Sequence, residues 1–235
     1  EKGIAKAQAK SSRIAAEGLA GVVIKGDKAI IVEVNCETDF VAKGERFQKL
    51  VNDAAEATLA KGYASIEEAK TGVAQLFTDA TVAMGEKLDY RRFEIVSKNA
   101  GEGFGSYLHM GGKIGTIVVL EKDDAELAKG LAMHIAANAP KYVSDADIPA
   151  DVIAHEKGIF LQQIKEDPKF AGKPEQMING IVDGKVKKLL SESVLGSQVF
   201  LIDGEKTVAA VLKEKGHNVK AFVTYAFGEG SEKRK

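Results

Sequence analysis

The stretch "CETDFVAKGE", residues 36–45, follows the apolar run "AIIVEVN", residues 29–35, and the fold is best worked out from this junction. A β-rich apolar run that ends in polar residues is typical of a buried strand followed by a turn into a helix. At that turn, Asp39 and Phe40 place a charge beside a large aromatic ring. Two interpretations stay open: Phe40 folds back as core beneath its own helix, or the pair protrudes and is inserted into another protein.

The residues around this junction predict further strands and helices. Two β-rich runs within residues 18–35 are separated by Gly26-Asp27, which indicates a hairpin. A helix is predicted over about 66–84, and "YRRFEIVS", 90–97, predicts another strand. A helix is also predicted directly after the opening motif, because its apolar residues recur at spacings of three and four: Phe47, Leu50, Val51, Ala54 and Ala55.

The same order of elements occurs twice. "GDKAIIVEVN", 26–35, is similar to "GGKIGTIVVL", 111–120, and a helical pattern follows each. A last strand is predicted over 218–227, and "GEGFGS", 101–106, is interpreted as a flexible connection. The fold class predicted is α+β, with two similar units, each a roughly three-stranded antiparallel sheet packed by helices.

An antiparallel helical hairpin is predicted as an insertion in the second unit. Helical patterns over 149–167 and 175–195 flank the loop "PKFAGKP", 168–174, whose prolines and glycine interrupt them. Arms of this length would reach about 25 Å. The hairpin either projects to grip a partner or lies flat on the core.

Five parts are therefore predicted along the chain. They are a linker or helix left from a missing N-terminal domain (1–13), a first core subdomain (14–98), a second core subdomain (99–148 and 193–228), a coiled-coil-like hairpin (149–192) and a charged tail (229–235).

Composition and motifs exclude several classes of function. The chain has 33 basic and 34 acidic residues, so strong nucleic-acid binding is not expected. No apolar run approaches the roughly 20 residues of a membrane helix, and the single cysteine, Cys36, fits a reducing compartment. The sequence lacks a phosphate-binding loop, a nucleophile elbow and paired histidines. We therefore expect no catalytic residues, no cofactor and no metal.

"EVNCETDFVA", 33–42, resembles the signature of the bacterial elongation factor Ts family, the guanine-nucleotide exchange factors of the translational GTPase EF-Tu. The resemblance covers essentially the whole chain, and it implies the expectation that the small N-terminal helical domain usual in the family is missing. Further segments support it in order: "RIAAEGL" (13–19), "GEKLDYRR" (85–92), "GSYLHMGGKIG" (105–115) and "LAMHIAANAP" (131–140).

The resemblance implies a site that binds EF-Tu and displaces its magnesium ion. It comprises Thr38, Asp39, Phe40, Val41 and Ala42, and its Asp39-Phe40 tip would enter near the nucleotide to promote GDP release. Thr38 and Asp39 are also good helix N-caps, which is the alternative role for them. Secondary contacts with EF-Tu are implied for three more residues: Met84, Gly85 and His109.

The partner implied is EF-Tu, both GDP-bound and nucleotide-free, during elongation in the cytoplasm. A homodimer or a 2:2 complex with EF-Tu is compatible with the resemblance, and no membrane association is expected. The alternative function is a ribosome- or RNA-associated binding module without exchange activity, using the basic ends 2–13 and 233–235.

Overall fold

The computed structural model describes residues 1–230, and its first sheet has three antiparallel strands. They are β1 (Glu17–Lys25), β2 (Lys28–Cys36) and β3 (Asp89–Ser97), in the order β1-β2-β3. Lys25 pairs with Lys28, so Gly26 and Asp27 alone form the loop of the predicted hairpin. Gly26 has a φ of 62°, a left-handed conformation that glycine adopts without strain.

The second sheet repeats this arrangement. It contains β4 (Gly103–His109), β5 (Ile114–Leu120) and β6 (Val219–Ala226), all antiparallel and in the order β4-β5-β6. Two three-stranded antiparallel sheets with helices confirm the α+β fold class predicted from the sequence.

Six helices accompany these sheets in the described residues up to Asn138. The longest of them, α3, packs on β1 and β2, and the apolar residues predicted to form its stripe are all buried. This burial confirms the helix predicted after the opening motif. The six helices are α1 (Lys2–Gln8), α2 (Asp39–Ala42), α3 (Glu45–Lys61), α4 (Ile66–Gly72), α5 (Ala74–Met84) and α6 (Ala125–Asn138).

The single helix predicted over 66–84 is wrong, because the chain forms α4 and α5 with a break at Val73. Val73 has φ −108° and ψ 15°, outside the helical range. The ring of Tyr63 lies against Gly72 and leaves no room for a Cβ there. Glycine is a poor helix former, so a break beside Gly72 costs little.

The interpretation of residues 101–106 as a flexible connection is also wrong, since β4 begins at Gly103. A Cβ at Gly103 would collide with Asp123, and one at Gly105 would collide with the backbone of Ala128 in α6. Gly105 therefore lets α6 approach β4 closely, and Gly103 leaves room for Asp123 just before that helix. In both cases the reason for glycine depends on tertiary packing.

The two sheets belong to one compact unit, which comprises Glu1–Ala137 and the described residues from Val219 onward. Ile31 of β2, Ile117 of β5 and Tyr225 of β6 share a buried cluster between the sheets. The five-part division made from sequence stays a prediction, and residues 231–235 of its charged tail lie outside the described residues.

The other compact unit, Asn138–Asn218, contains the predicted helical hairpin. Its helices are α7 (Ala150–Glu166), α8 (Glu175–Ser191) and α9 (Val208–Lys215). Lys157 Nζ lies 3.0 Å from Asp183 Oδ1, so the middle of α7 faces the middle of α8. The two helices run antiparallel, and Ile164 and Val182 are buried between them.

Candidate functional site

The turn between β2 and α2 places Phe40 on the surface. Thr38 is the N-cap of α2, and its hydroxyl accepts a hydrogen bond from the Val41 amide at 3.3 Å. Phe40 occupies the first turn of this helix with 85% of its surface exposed. The interpretation that Phe40 is core therefore does not hold, while Thr38 does form the cap that its residue type suggested.

The two residues after Phe40 attach α2 to the body. Ala42 is only 5% exposed and belongs to the same core cluster as Phe47, and Val41 packs against that cluster. Thr38, Asp39 and Phe40 are all exposed, but the Thr38 hydroxyl is already hydrogen-bonded to Glu86 and to the Val41 amide, which leaves Asp39 and Phe40 for a partner.

Glu86 fixes the turn from the other side, and sequence reasoning missed this residue. Its Oε2 accepts hydrogen bonds from the amides of Glu37 at 2.9 Å and Thr38 at 3.1 Å. Its Oε1 accepts a third from the Thr38 hydroxyl at 2.6 Å. In the sequence, Glu86 could have been noticed only as the acid directly after Gly85 in "GEKLDYRR". The fold is needed to show which amides donate hydrogen bonds to it.

Glu37 makes the return contact. Its Oε1 accepts a hydrogen bond from the Lys87 amide at 2.7 Å and lies 3.4 Å from Arg13 Nη1. The Lys87 amide is the main cause of a lowered pKa for Glu37, with Arg13 adding to it, so this carboxylate stays ionised near neutral pH.

Asp39 forms an ion pair within its own turn. Lys43 Nζ lies 2.9 Å from Asp39 Oδ2, with both side chains largely exposed. The hydrogen bond from Lys43 lowers the pKa of Asp39. The tip therefore carries an ionised carboxylate beside the exposed ring of Phe40.

Two of the predicted secondary contacts lie next to this turn. Met84 ends α5 and packs partly into the first core, and Gly85 is the left-handed C-cap with φ 74°. Because Glu86 follows Gly85 and binds Thr38, the end of α5 is brought beside the tip.

His109 lies elsewhere, at the end of β4 in the second sheet. Its Nδ1 lies 3.4 Å from the hydroxyl of Tyr107, and the exposed Met110 follows it in the β4–β5 turn. The structure thus brings Met84 and Gly85 to the tip and places His109 on a separate hairpin.

A second feature missed from sequence is Glu33, a fully buried acid in β2. Arg91 Nη1 at 2.8 Å, Arg92 Nε at 2.7 Å, Asn35 Nδ2 at 2.9 Å and the Gly228 amide at 2.9 Å all donate to its carboxylate. Burial pushes the pKa of Glu33 upward, but these hydrogen bonds outweigh it and leave the pKa below its ordinary value. Gly228 follows β6, so Glu33 links the two sheets.

Cys36, at the end of β2, provides a test of this local packing. Its thiol is fully buried and donates to the carbonyl oxygen of Thr38 at 3.2 Å. Burial, reinforced by the negative charge of Glu86, raises its pKa to about 12. We expect thiol labelling at pH 8 to be at least about tenfold slower in the native protein than in urea, because the thiol is buried and its raised pKa leaves little of the reactive thiolate. Labelling at similar rates in both states, followed by absorbance, would contradict this packing.

Residues 1–230 contain no group of three or more histidines, cysteines or acids that could hold a metal ion. In the same residues, every helix is too short or too polar to span a bilayer.

Comparison with known proteins gives a consistent result. The family model described as "Elongation factor TS" matches residues 37–229, which include the turn, Met84, Gly85 and His109. An "Elongation factor Ts" of Lactiplantibacillus plantarum is 43% identical over 240 residues, covering 100% of this chain and 81% of the relative. Proteins of the same name from Acholeplasma laidlawii and Lacticaseibacillus casei are also 43% identical, over 242 and 241 residues, with the same coverage.

Proposed function

Since the chain belongs to the elongation factor Ts family of translation elongation factors, we propose that it is the guanine-nucleotide exchange factor of EF-Tu. In this proposal it promotes GDP release during elongation in the cytoplasm. It does so by binding, without catalysing a chemical reaction itself.

The observation that carries the proposal is the exposure of Phe40 on a firmly held turn. A ring with 85% of its surface in water leaves most of its apolar area for burial against a partner. Large exposed aromatic residues are typical anchors of protein interfaces. The exposure supports insertion of the Asp39-Phe40 tip beside the nucleotide pocket of EF-Tu.

Exchange then follows from thermodynamic linkage. A protein that binds nucleotide-free EF-Tu more tightly than the GDP-bound form must weaken GDP binding by the same factor. Each tenfold weakening requires about 1.4 kcal/mol of differential binding. Burial of one phenylalanine side chain yields about 1.5–3 kcal/mol, so Phe40 supplies a substantial part of the effect.

Asp39 adds an electrostatic contribution in this proposal. GDP is held in such pockets with a magnesium ion that offsets phosphate charge. An ionised carboxylate brought nearby competes for the cation, and the lowered pKa of Asp39 keeps it charged. Lys43 accompanies it at 2.9 Å and partly neutralises it until the tip is inserted.

The remaining predicted residues take supporting roles. Thr38, Val41 and Ala42 belong to the contact segment but mainly hold it in place. Met84 and Gly85 border the inserted tip, and His109 contacts another part of EF-Tu. The α7–α8 hairpin grips the GTPase domain.

A release assay tests the proposal. EF-Tu loaded with fluorescent GDP is mixed with excess unlabelled GDP and increasing amounts of the chain. We expect release to accelerate by at least about tenfold, which corresponds to a decrease of about 1.4 kcal/mol in its activation free energy, and then to saturate. Light scattering on the nucleotide-free complex would distinguish a 1:1 from a 2:2 assembly.

An unchanged release rate would contradict the proposal. If such a chain also bound RNA with an affinity that falls steeply with salt, the RNA-associated alternative would replace it.

A further inference from the structure

We propose that Glu86 is a positioning residue for exchange: with Glu37 it forms a reciprocal clasp that sets the orientation of Phe40. The inference rests on the proposed exchange function and concerns the same site. It assigns a role to two carboxylates outside the predicted contact residues.

The first half of the clasp runs from Glu86 to the turn before α2. One carboxylate accepts two main-chain amides, of Glu37 and Thr38, at 2.9 and 3.1 Å, and the Thr38 hydroxyl at 2.6 Å. Hydrogen bonds to a charged acceptor are the stronger kind. Two consecutive peptide units directly before Asp39 are therefore fixed in position.

The second half of the clasp runs from Glu37, in the turn before α2, back to the segment that contains Glu86. Glu37 accepts the Lys87 amide at 2.7 Å, so each carboxylate binds the main chain beside the other. Arg13 approaches Glu37 at 3.4 Å, which ties the segment before β1 to the same point. The turn after β2 and the connection from α5 to β3 are thus locked together.

Phe40 needs this support because α2 is only four residues long. A helix of one turn is unstable by itself, since its first hydrogen bonds do not offset the entropy of ordering it. Ala42 holds its end in the core, and the clasp holds its beginning. With one attachment lost, the ring would sample orientations that do not fit the pocket.

A double-mutant cycle tests the assignment with the full chain and EF-Tu carrying fluorescent GDP. Glu86→Ala should lower the maximal release rate about tenfold, as expected for the loss of charge-assisted hydrogen bonds that orient the inserted group. In a Phe40→Ala background the same change should cost less than about twofold, because Glu86 acts through Phe40. Glu86→Gln, which keeps the size of the side chain, should give an intermediate loss.

Two controls accompany the cycle. Glu67→Ala removes an exposed acid of α4 and should leave release unchanged. Amide hydrogen exchange should accelerate at Glu37 and Thr38 in Glu86→Ala but not in Glu67→Ala.

Different results would overturn the inference about Glu86 and the proposed exchange function. Equal losses from Glu86→Ala in both backgrounds would show a general structural role and overturn the inference. So would an undiminished rate in the single variant. A wild-type chain that fails to accelerate release would instead overturn the proposed function, and the inference with it.

Discussion

Phe40→Ala is expected to lower the maximal rate of GDP release from EF-Tu by about ten- to a hundredfold, because the transition state for release loses the burial of one phenylalanine ring, worth about 1.5–3 kcal/mol. Its thermal stability should stay close to that of the wild type, because the ring is 85% exposed in the free protein. Stopped-flow release of fluorescent GDP and thermal unfolding followed by circular dichroism measure the two quantities.

Phe47→Ala is the matched control. Phe47 is the same residue type seven positions later, but it is fully buried under the first sheet. Its truncation should cost about 3–5 kcal/mol of stability. If Phe40→Ala instead lost stability on that scale, or released GDP at the wild-type rate, the assignment of Phe40 to the partner interface would be wrong.

Glu33→Ala is expected to lower the free energy of unfolding by about 3 kcal/mol, because it leaves Arg91 and Arg92 without their buried acceptor. The value is placed at the low end of the range for buried pairs, since both arginine side chains remain 22–28% exposed. Urea unfolding at pH 7 measures the loss. A change within about 0.5 kcal/mol, the usual limit for surface positions, would contradict the linking role of Glu33.

The same group predicts a pH dependence. The folded pKa of Glu33 is lowered, so its stabilisation is fully present above the unfolded value of about 4.3 and is lost as pH falls through the folded pKa. Glu33→Gln removes the titrating group. We therefore expect the stability difference between wild type and Glu33→Gln to shrink from pH 6 towards pH 3, whereas Glu67→Gln should differ little from wild type throughout.

Most of the fold could be predicted because its strands and helices follow local patterns in the sequence. The β-branched runs predict the strands, the spacing of Phe47, Leu50 and Val51 predicts α3, and Gly26-Asp27 predicts the hairpin. The break at Val73 and the role of Gly105 were missed, since each depends on a ring or a helix packing against glycine from a distance.

The candidate site also has some features that local sequence predicts and others that depend on tertiary packing. The segment around Phe40 could be identified from its residues, but its exposure could not, because core and surface phenylalanines look alike in sequence. Glu86 meets Thr38 across 48 positions, and Glu33 meets Arg91 across 58, so only the folded chain brings them together. The burial of Glu33 was also hard to predict from its residue type, since carboxylates are rarely buried unless they are paired.

The position of β2 has a mechanical consequence. This strand leads directly into the turn that carries Phe40, all but its first residue are buried, and β1 and β3 pair with it along both sides. It cannot slide without breaking hydrogen bonds on two flanks at once. The turn that carries Phe40 is therefore held by a rigid strand, and in the proposed complex we expect EF-Tu, rather than this chain, to change conformation around the inserted ring.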